Sequence, residues 1–146
     1  MAIDTTGEWW KGSEAADLVE YLKAATVEAY PVDEIRAVHC HCGCDTFQLE
    51  VDPLEGAARR TCTSCDSARM VCDSADSWEE AEPEEFECVG CRSRQANVYV
   101  GFSLYPEEDA IRWLYIGVRC NGCGILGVFG DWKIGYGPSL HLLDQV

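Results

Sequence analysis

The sequence predicts a small, metal-stabilised α+β fold, with an N-terminal amphipathic helix and two antiparallel three-stranded modules. Three observations point to it. Four close cysteine pairs punctuate the 146-residue chain: Cys40-His41-Cys42, Cys62-Thr63-Ser64-Cys65, Cys88-Val89-Gly90-Cys91 and Cys120-Asn121-Gly122-Cys123. Each can present two thiolates to one ion across a tight turn. Runs that alternate apolar and polar residues flank the pairs, as half-buried strands do. An apolar stripe at helical spacing precedes them. Each cysteine cluster is shorter than the ~70 residues below which a core rarely suffices alone, and a structural metal is a usual remedy.

Residues 1–38 read as an arm and a helix. Trp9 and Trp10 lie in the irregular arm. Ser13 is placed to cap the helix, and Glu14 and Asp17 suit the positive end of its dipole. Ala15, Leu18, Val19, Leu22, Ala25, Thr26 and Ala29 then recur on one face. Tyr30-Pro31 ends a helix of about four turns, because a residue before proline resists helical geometry. Its stripe is expected to cover the metal modules.

Residues 39–72 hold the first module. Phe47 to Val51 reads as a strand and Asp52 to Gly56 as a turn. Ala57 to Thr61 reads as a second strand running into Cys62, and Ala68 to Val71 as a third. Residues 88–133 repeat the plan. Val98, Val100, Phe102 and Leu104 alternate, Pro106 to Asp109 turns, Ile111 to Arg119 returns into Cys120, and Gly124 to Phe129 closes. Nineteen residues lie between the inner cysteines of the first module and 28 between those of the second, so the plan is duplicated rather than its length. Residues 73–87 carry eight acids and no base, the composition of a solvated linker, although Trp78 and Phe86 are unusual in one. Residues 134–146 form a tail in which Leu140, Leu142 and Leu143 fit a short helix returning to the core.

Two pairs make one tetrahedral set of sulfurs, so four pairs make two sites. The candidate ligands are Cys40, Cys42, Cys62 and Cys65 for one ion, and Cys88, Cys91, Cys120 and Cys123 for the other. Zinc is the expected occupant of both, because sulfur-rich tetrahedral sites suit an ion with no geometric demand of its own, and iron is the competing metal. A disulfide framework would be the other use of ten cysteines, but it belongs to exported chains. The N-terminus has neither the basic start nor the apolar run of a signal peptide, so a cytoplasmic location is expected. The opening knuckle is one residue short. Cys44 and His39 are therefore alternatives to Cys40, while Gly43 after Cys42 favours Cys40 with Cys42. Cys91 is followed by Arg92 instead of glycine, and Gly90 is expected to take the strained turn. Cys44 and Cys72 remain as spare thiols that pack as small hydrophobes.

Cys42-Gly43 with Phe47, and Cys120-Asn121-Gly122-Cys123-Gly124, resemble the zinc-ribbon class: two knuckles at one end of a small antiparallel sheet, gripping one ion. The resemblance implies tandem ribbons with structural sites and leaves function open, since ribbons serve many roles. Rubredoxins are similar and hold iron, but their knuckles carry Cys-Pro-x-Cys-Gly, and no proline stands inside a knuckle here. Glu107 and Glu108, 13 and 12 residues before Cys120, are similar in placement to the acidic hairpin tip that transcript-cleavage factors insert into RNA polymerase. An ordinary polar turn is the simpler account.

Eleven basic residues against 26 acidic ones give a net charge of −15, and four thiolates on one dication leave each site a dianion. This balance works against nucleic-acid backbones and anionic membranes. No apolar run approaches the roughly 20 residues of a membrane span. It fits a basic protein partner. Closed four-cysteine sites leave no open position for catalysis, His141 has no acidic or nucleophilic companion, and no phosphate-binding or nucleophile motif is present. The expectation is a non-enzymatic protein-interaction module of undetermined oligomeric state. Its candidate contacts are Trp9, Trp10, Trp78, Trp113, Trp132 and the acidic stretch 73–87. The alternative is an inhibitor or immunity protein that mimics nucleic acid against a basic nuclease or polymerase, which requires ordered rows of carboxylates.

Overall fold

The computed structural model describes residues 3–134 and 136–146. A short hairpin, β1 (Ile3–Asp4) with β2 (Lys11–Gly12), leads into helix α1 (Asp17–Ala25). The remaining strands are β3 (Glu34–Ala37), β4 (Phe47–Asp52), β5 (Ala57–Cys62), β6 (Ala68–Met70), β7 (Glu84–Glu85), β8 (Ala96–Leu104), β9 (Ile111–Cys120) and β10 (Leu126–Lys133). They form one eight-stranded antiparallel sheet along the path β10-β9-β8-β4-β5-β6, with β3 added to β8 and β7 to β4. The strands of the two expected modules therefore share a sheet. The join is narrow, a single register pair between Phe47 of β4 and Ala96 of β8.

Alternation puts Phe47, Leu49 and Val51 of β4 inside, and Val98, Val100 and Phe102 of β8 with Leu114, Ile116 and Val118 of β9. These side chains form one continuous apolar core. The two halves of the sheet face each other across it. A Cβ on Gly130 of β10 would lie 2.7 Å from Val51, and one on Gly56, in the β4–β5 turn, would lie 3.0 Å from the Trp132 ring. On the solvent side of β4 and β5, Glu50 and Arg59 stand directly opposite each other and form an ion pair.

Helix α1 covers the other face of β8 and β9. Leu18 and Leu22 are fully buried, each contributing on the order of 1.5–3 kcal/mol. The sheet makes room for Leu22 with a glycine, since a Cβ on Gly117 would meet its side chain at 3.0 Å. The helix is shorter than its apolar stripe predicts. Ser13 does not cap it. The buried Asp17 carboxylate instead accepts the Ser13 and Glu14 amides at 2.8 and 3.2 Å, and the chain before it runs in tight turns. At the far end the Thr26 hydroxyl donates to the Leu22 carbonyl and accepts the Val32 amide. This side-chain bonding stops the helix at Ala25, ahead of the proline.

Residues 73–87 are woven into the fold. Two short 3₁₀ turns, Ser74–Asp76 and Trp78–Glu80, precede β7. The Ser74 hydroxyl accepts the Ala58 amide, and Phe86 is buried against Phe129 with ring centroids 5.4 Å apart. The tail forms a 3₁₀ turn, Leu140–Asp144, with Leu142 in the core. Among the described residues no helix is long and apolar enough to cross a membrane.

Candidate metal centres

Four knuckles place the eight cysteines. Cys40 and Cys42 lie between β3 and β4, and Cys62 ends β5 with Cys65 in the turn to β6. Cys88 and Cys91 lie between β7 and β8, and Cys120 ends β9 with Cys123 in the turn to β10. Every knuckle closes on a residue with positive φ directly after its second cysteine: Gly43 (92°), Asp66 (61°), Arg92 (62°) and Gly124 (83°). In the three longer knuckles that residue's amide donates to the carbonyl of the first cysteine, at 2.9–3.0 Å. The shorter opening knuckle closes one residue earlier, with the Gly43 amide on the Cys40 carbonyl at 2.8 Å. Arg92 itself, and not Gly90, takes the left-handed conformation in the third knuckle. The closing hydrogen bond fixes which position must turn, and a non-glycine residue bears the strain there.

The sulfurs of Cys40, Cys42, Cys62 and Cys65 all lie within 4.8 Å of one another, and so do those of Cys88, Cys91, Cys120 and Cys123. Across knuckles, Cys40–Cys65 and Cys42–Cys62 approach to 3.5 and 3.6 Å, and Cys88–Cys123 and Cys91–Cys120 to 3.5 and 3.4 Å. These separations are far beyond a disulfide bond. They are close to the edge of a sulfur tetrahedron around an ion with metal–sulfur bonds of about 2.3 Å, which is about 3.8 Å. Geometry and donor set thus fit two metal ions of the zinc type. Cys44 stands apart, with its sulfur against the Thr46 backbone and Thr63. His39 is exposed and outside the group. Cys72 donates to the Leu142 carbonyl at 3.3 Å.

The thiols in each set cannot ionise independently. The Cys65 and Ser64 amides hold Cys62 down to about 6. At Cys65 the Ser67 amide works in the same direction, but the Cys40 thiol, burial and the remaining neighbours push it up to about 12. In the second set, burial opposes ionisation of Cys88, yet the Cys91 and Gly90 amides bring it to about 7, while burial and the Cys91 thiol hold Cys120 up at about 12. One thiol of each set thus ionises readily, held by backbone amides, while burial and thiol hydrogen bonds keep another protonated. Binding a dication requires the remaining protons to leave.

Arg60 is buried beside the first set. Its guanidinium lies over the Phe47 ring and donates to the Val146 carbonyl, and its Nε has no partner among the described residues. Burial and the Arg69 charge lower its pKa, and the neighbouring Cys40 and Cys62 sulfurs counter that. Glu107 and Glu108 are exposed in the turn between β8 and β9. Trp132 is buried, Trp113 is half-buried, and Trp78 is half-buried under Arg59. Trp9 and Trp10 are 46 % and 37 % exposed.

Compared with known proteins, the chain matches no protein-family model, and no curated protein or solved structure is significantly similar to it.

Proposed function

We propose that this chain is a non-enzymatic double zinc-ribbon protein, in which two structural zinc ions hold a scaffold for contact with other proteins. The two four-sulfur sets support the metal part. Each fills all four positions of a tetrahedral ion with side chains, as closed structural sites do, and leaves none for a reacting water. On this reading residues 39–72 and 88–133 are two ribbons fused edge to edge through β4 and β8, working in the cytoplasm, where thiolates stay reduced.

The interaction part rests on one observation. The exposed Trp9 and Trp10 are carried on an arm bonded directly to the fourth knuckle, through the Gly12 amide on the Gly124 carbonyl at 2.8 Å. Exposed tryptophans on a rigid support are efficient interface anchors. The net charge of −15 favours a basic partner through faster encounter.

Cross-linking followed by mass spectrometry, comparing wild type with Trp9→Ala/Trp10→Ala, tests the reading. A basic protein should cross-link to the wild type and be lost from the double variant, with metal content unchanged. Equal capture by both, or capture only of nucleic acid, would contradict it.

A further inference from the structure

Three cavities join end to end along the free edge of β10. One of about 280 Å³ lies by Trp10 and Glu8, one of about 490 Å³ by Phe86 and Phe129, and one of about 340 Å³ by Trp113 and Asp131. Trp9, Tyr21, Ala25 and Leu126 line both of the first two, and Ala25 and Val128 line both of the last two. Together they make one groove between helix α1 and the strand edge. Its middle is mostly apolar, and the third knuckle contributes Cys88 and Val89 to it.

The backbone along this groove already accepts a strand at one end. The arm pairs antiparallel with the start of β10: Gly12 N–H donates to Gly124, Leu126 N–H donates to Trp10, both at 2.8 Å, and Lys11 bridges Ile125. Residues of a strand face its two neighbours alternately. With Leu126 turned to the arm and Gly127 to β9, the N–H and C=O of Val128 point outward. A bulge interrupts the register between Val128 and Gly130, and beyond it Ile134 N–H donates to Arg112 of β9. Alternation back from Ile134 turns Asp131 and Lys133 outward as well. The arm leaves the edge at Trp10, so these groups are not covered by it.

We infer that this edge is a docking site for an extended, basic peptide segment of a partner protein. The segment continues the pairing begun by the arm, adds a strand to β10 from Val128 to Lys133, and places one bulky apolar side chain in the central cavity between Trp9 and Phe129. The inference rests on the interaction reading above and names its surface. Strand addition takes affinity from main-chain hydrogen bonds and selectivity from pockets for alternate side chains, and the groove supplies both. Charge selects the occupant. Glu8, Glu87 and Asp131 flank the cavities, with Lys133 beyond them at the end of the strand. A second copy of the chain would bring the same acids and another −15 of charge against this edge, which disfavours it.

The test pans phage-displayed random dodecapeptides against the full, metal-loaded chain. Enriched peptides should alternate apolar residues with Lys or Arg, and salt should weaken their binding. Val128→Pro, which deletes the outward N–H, and Trp9→Ala, which leaves the sheet intact, should each weaken binding about tenfold or more. Metal content and the amide NMR spectrum verify each variant's fold. If Val128→Pro fails to fold, Val128→Lys, which sets a like charge against a basic peptide, replaces it. Enriched peptides that bind all variants equally would overturn the edge assignment and leave the interaction reading standing. Self-association abolished by Val128→Lys would overturn it in favour of a second copy. No enrichment, together with no tryptophan-dependent cross-linking, would overturn both.

Discussion

The two four-cysteine clusters share their chemistry and differ in their surroundings. The second ends strands of nine and ten residues, β8 and β9, whose inward faces supply much of the core. Its last knuckle is clamped by the arm, and a Cβ on Gly124 would lie 2.6 Å from the Gly12 carbonyl oxygen. The first ends strands of six residues, β4 and β5, and carries the shortened Cys40-His41-Cys42 knuckle. Gly43 there has nothing within 4 Å of its Cβ position. Site chemistry therefore does not set the weight of a metal site. The structure stacked on it does.

Mutation of one ligand in each cluster should separate them most widely. Cys120→Ser should release the second ion and unfold most of the chain, because structural zinc binding is worth roughly 10–16 kcal/mol and whole-domain stability roughly 5–15. Cys62→Ser should release the first ion and open β4 to β6 while amide protection persists in β8 to β10. Hydrogen exchange with metal analysis reads both. Equal, global loss from Cys62→Ser would show that the narrow Phe47–Ala96 join transmits the whole fold.

A finer contrast comes from the knuckle glycines. Gly43→Ala should cost only the left-handed penalty, on the order of 1–2 kcal/mol. Gly124→Ala adds a clash with the arm and should cost more, lowering the denaturation midpoint further. Equal costs would mean that the arm yields freely.

Much of this was legible in sequence because it is local. Ligand spacing lies within a turn, and period-two alternation within a strand, so Phe47, Val98 and Ile111 announce their strands. The helix ends were less legible, because Asp17 and Thr26 bond to nearby backbone and override the apolar stripe. The merging of the sheets depends on pairing between residues far apart, which no window reveals. β7, made of Glu84 and Glu85, reads as linker because an edge strand tolerates charge. Arg92 hides its left-handed turn behind an ordinary side chain.

Smaller effects belong to groups outside both clusters. Cys72, whose burial pushes its thiol up to about 12, stays protonated at neutral pH. Cys72→Ser keeps a donor for the Leu142 carbonyl and should shift stability by about 1 kcal/mol or less, with both metals retained. Tyr136 is raised to about 12 by desolvation of its hydroxyl and by donating that hydroxyl to the Asp73 carboxylate, although the residue as a whole is 47 % exposed. A raised folded pKa means that this contribution is intact below pH 10 and is lost as pH climbs toward 12. Tyr136→Phe should remove one tyrosine's share from the high-pH end of an alkaline absorbance titration, to which Tyr21, Tyr99 and Tyr115 also contribute.

Metal content per chain tests the central claim most directly, by elemental mass spectrometry on reduced, untagged protein with thiol titration alongside. The account predicts two zinc ions and eight metal-bound cysteines, with Cys44 titrating readily and the buried, protonated Cys72 only slowly. One ion or none, with few free thiols, would mean that disulfides hold this fold, and would contradict it.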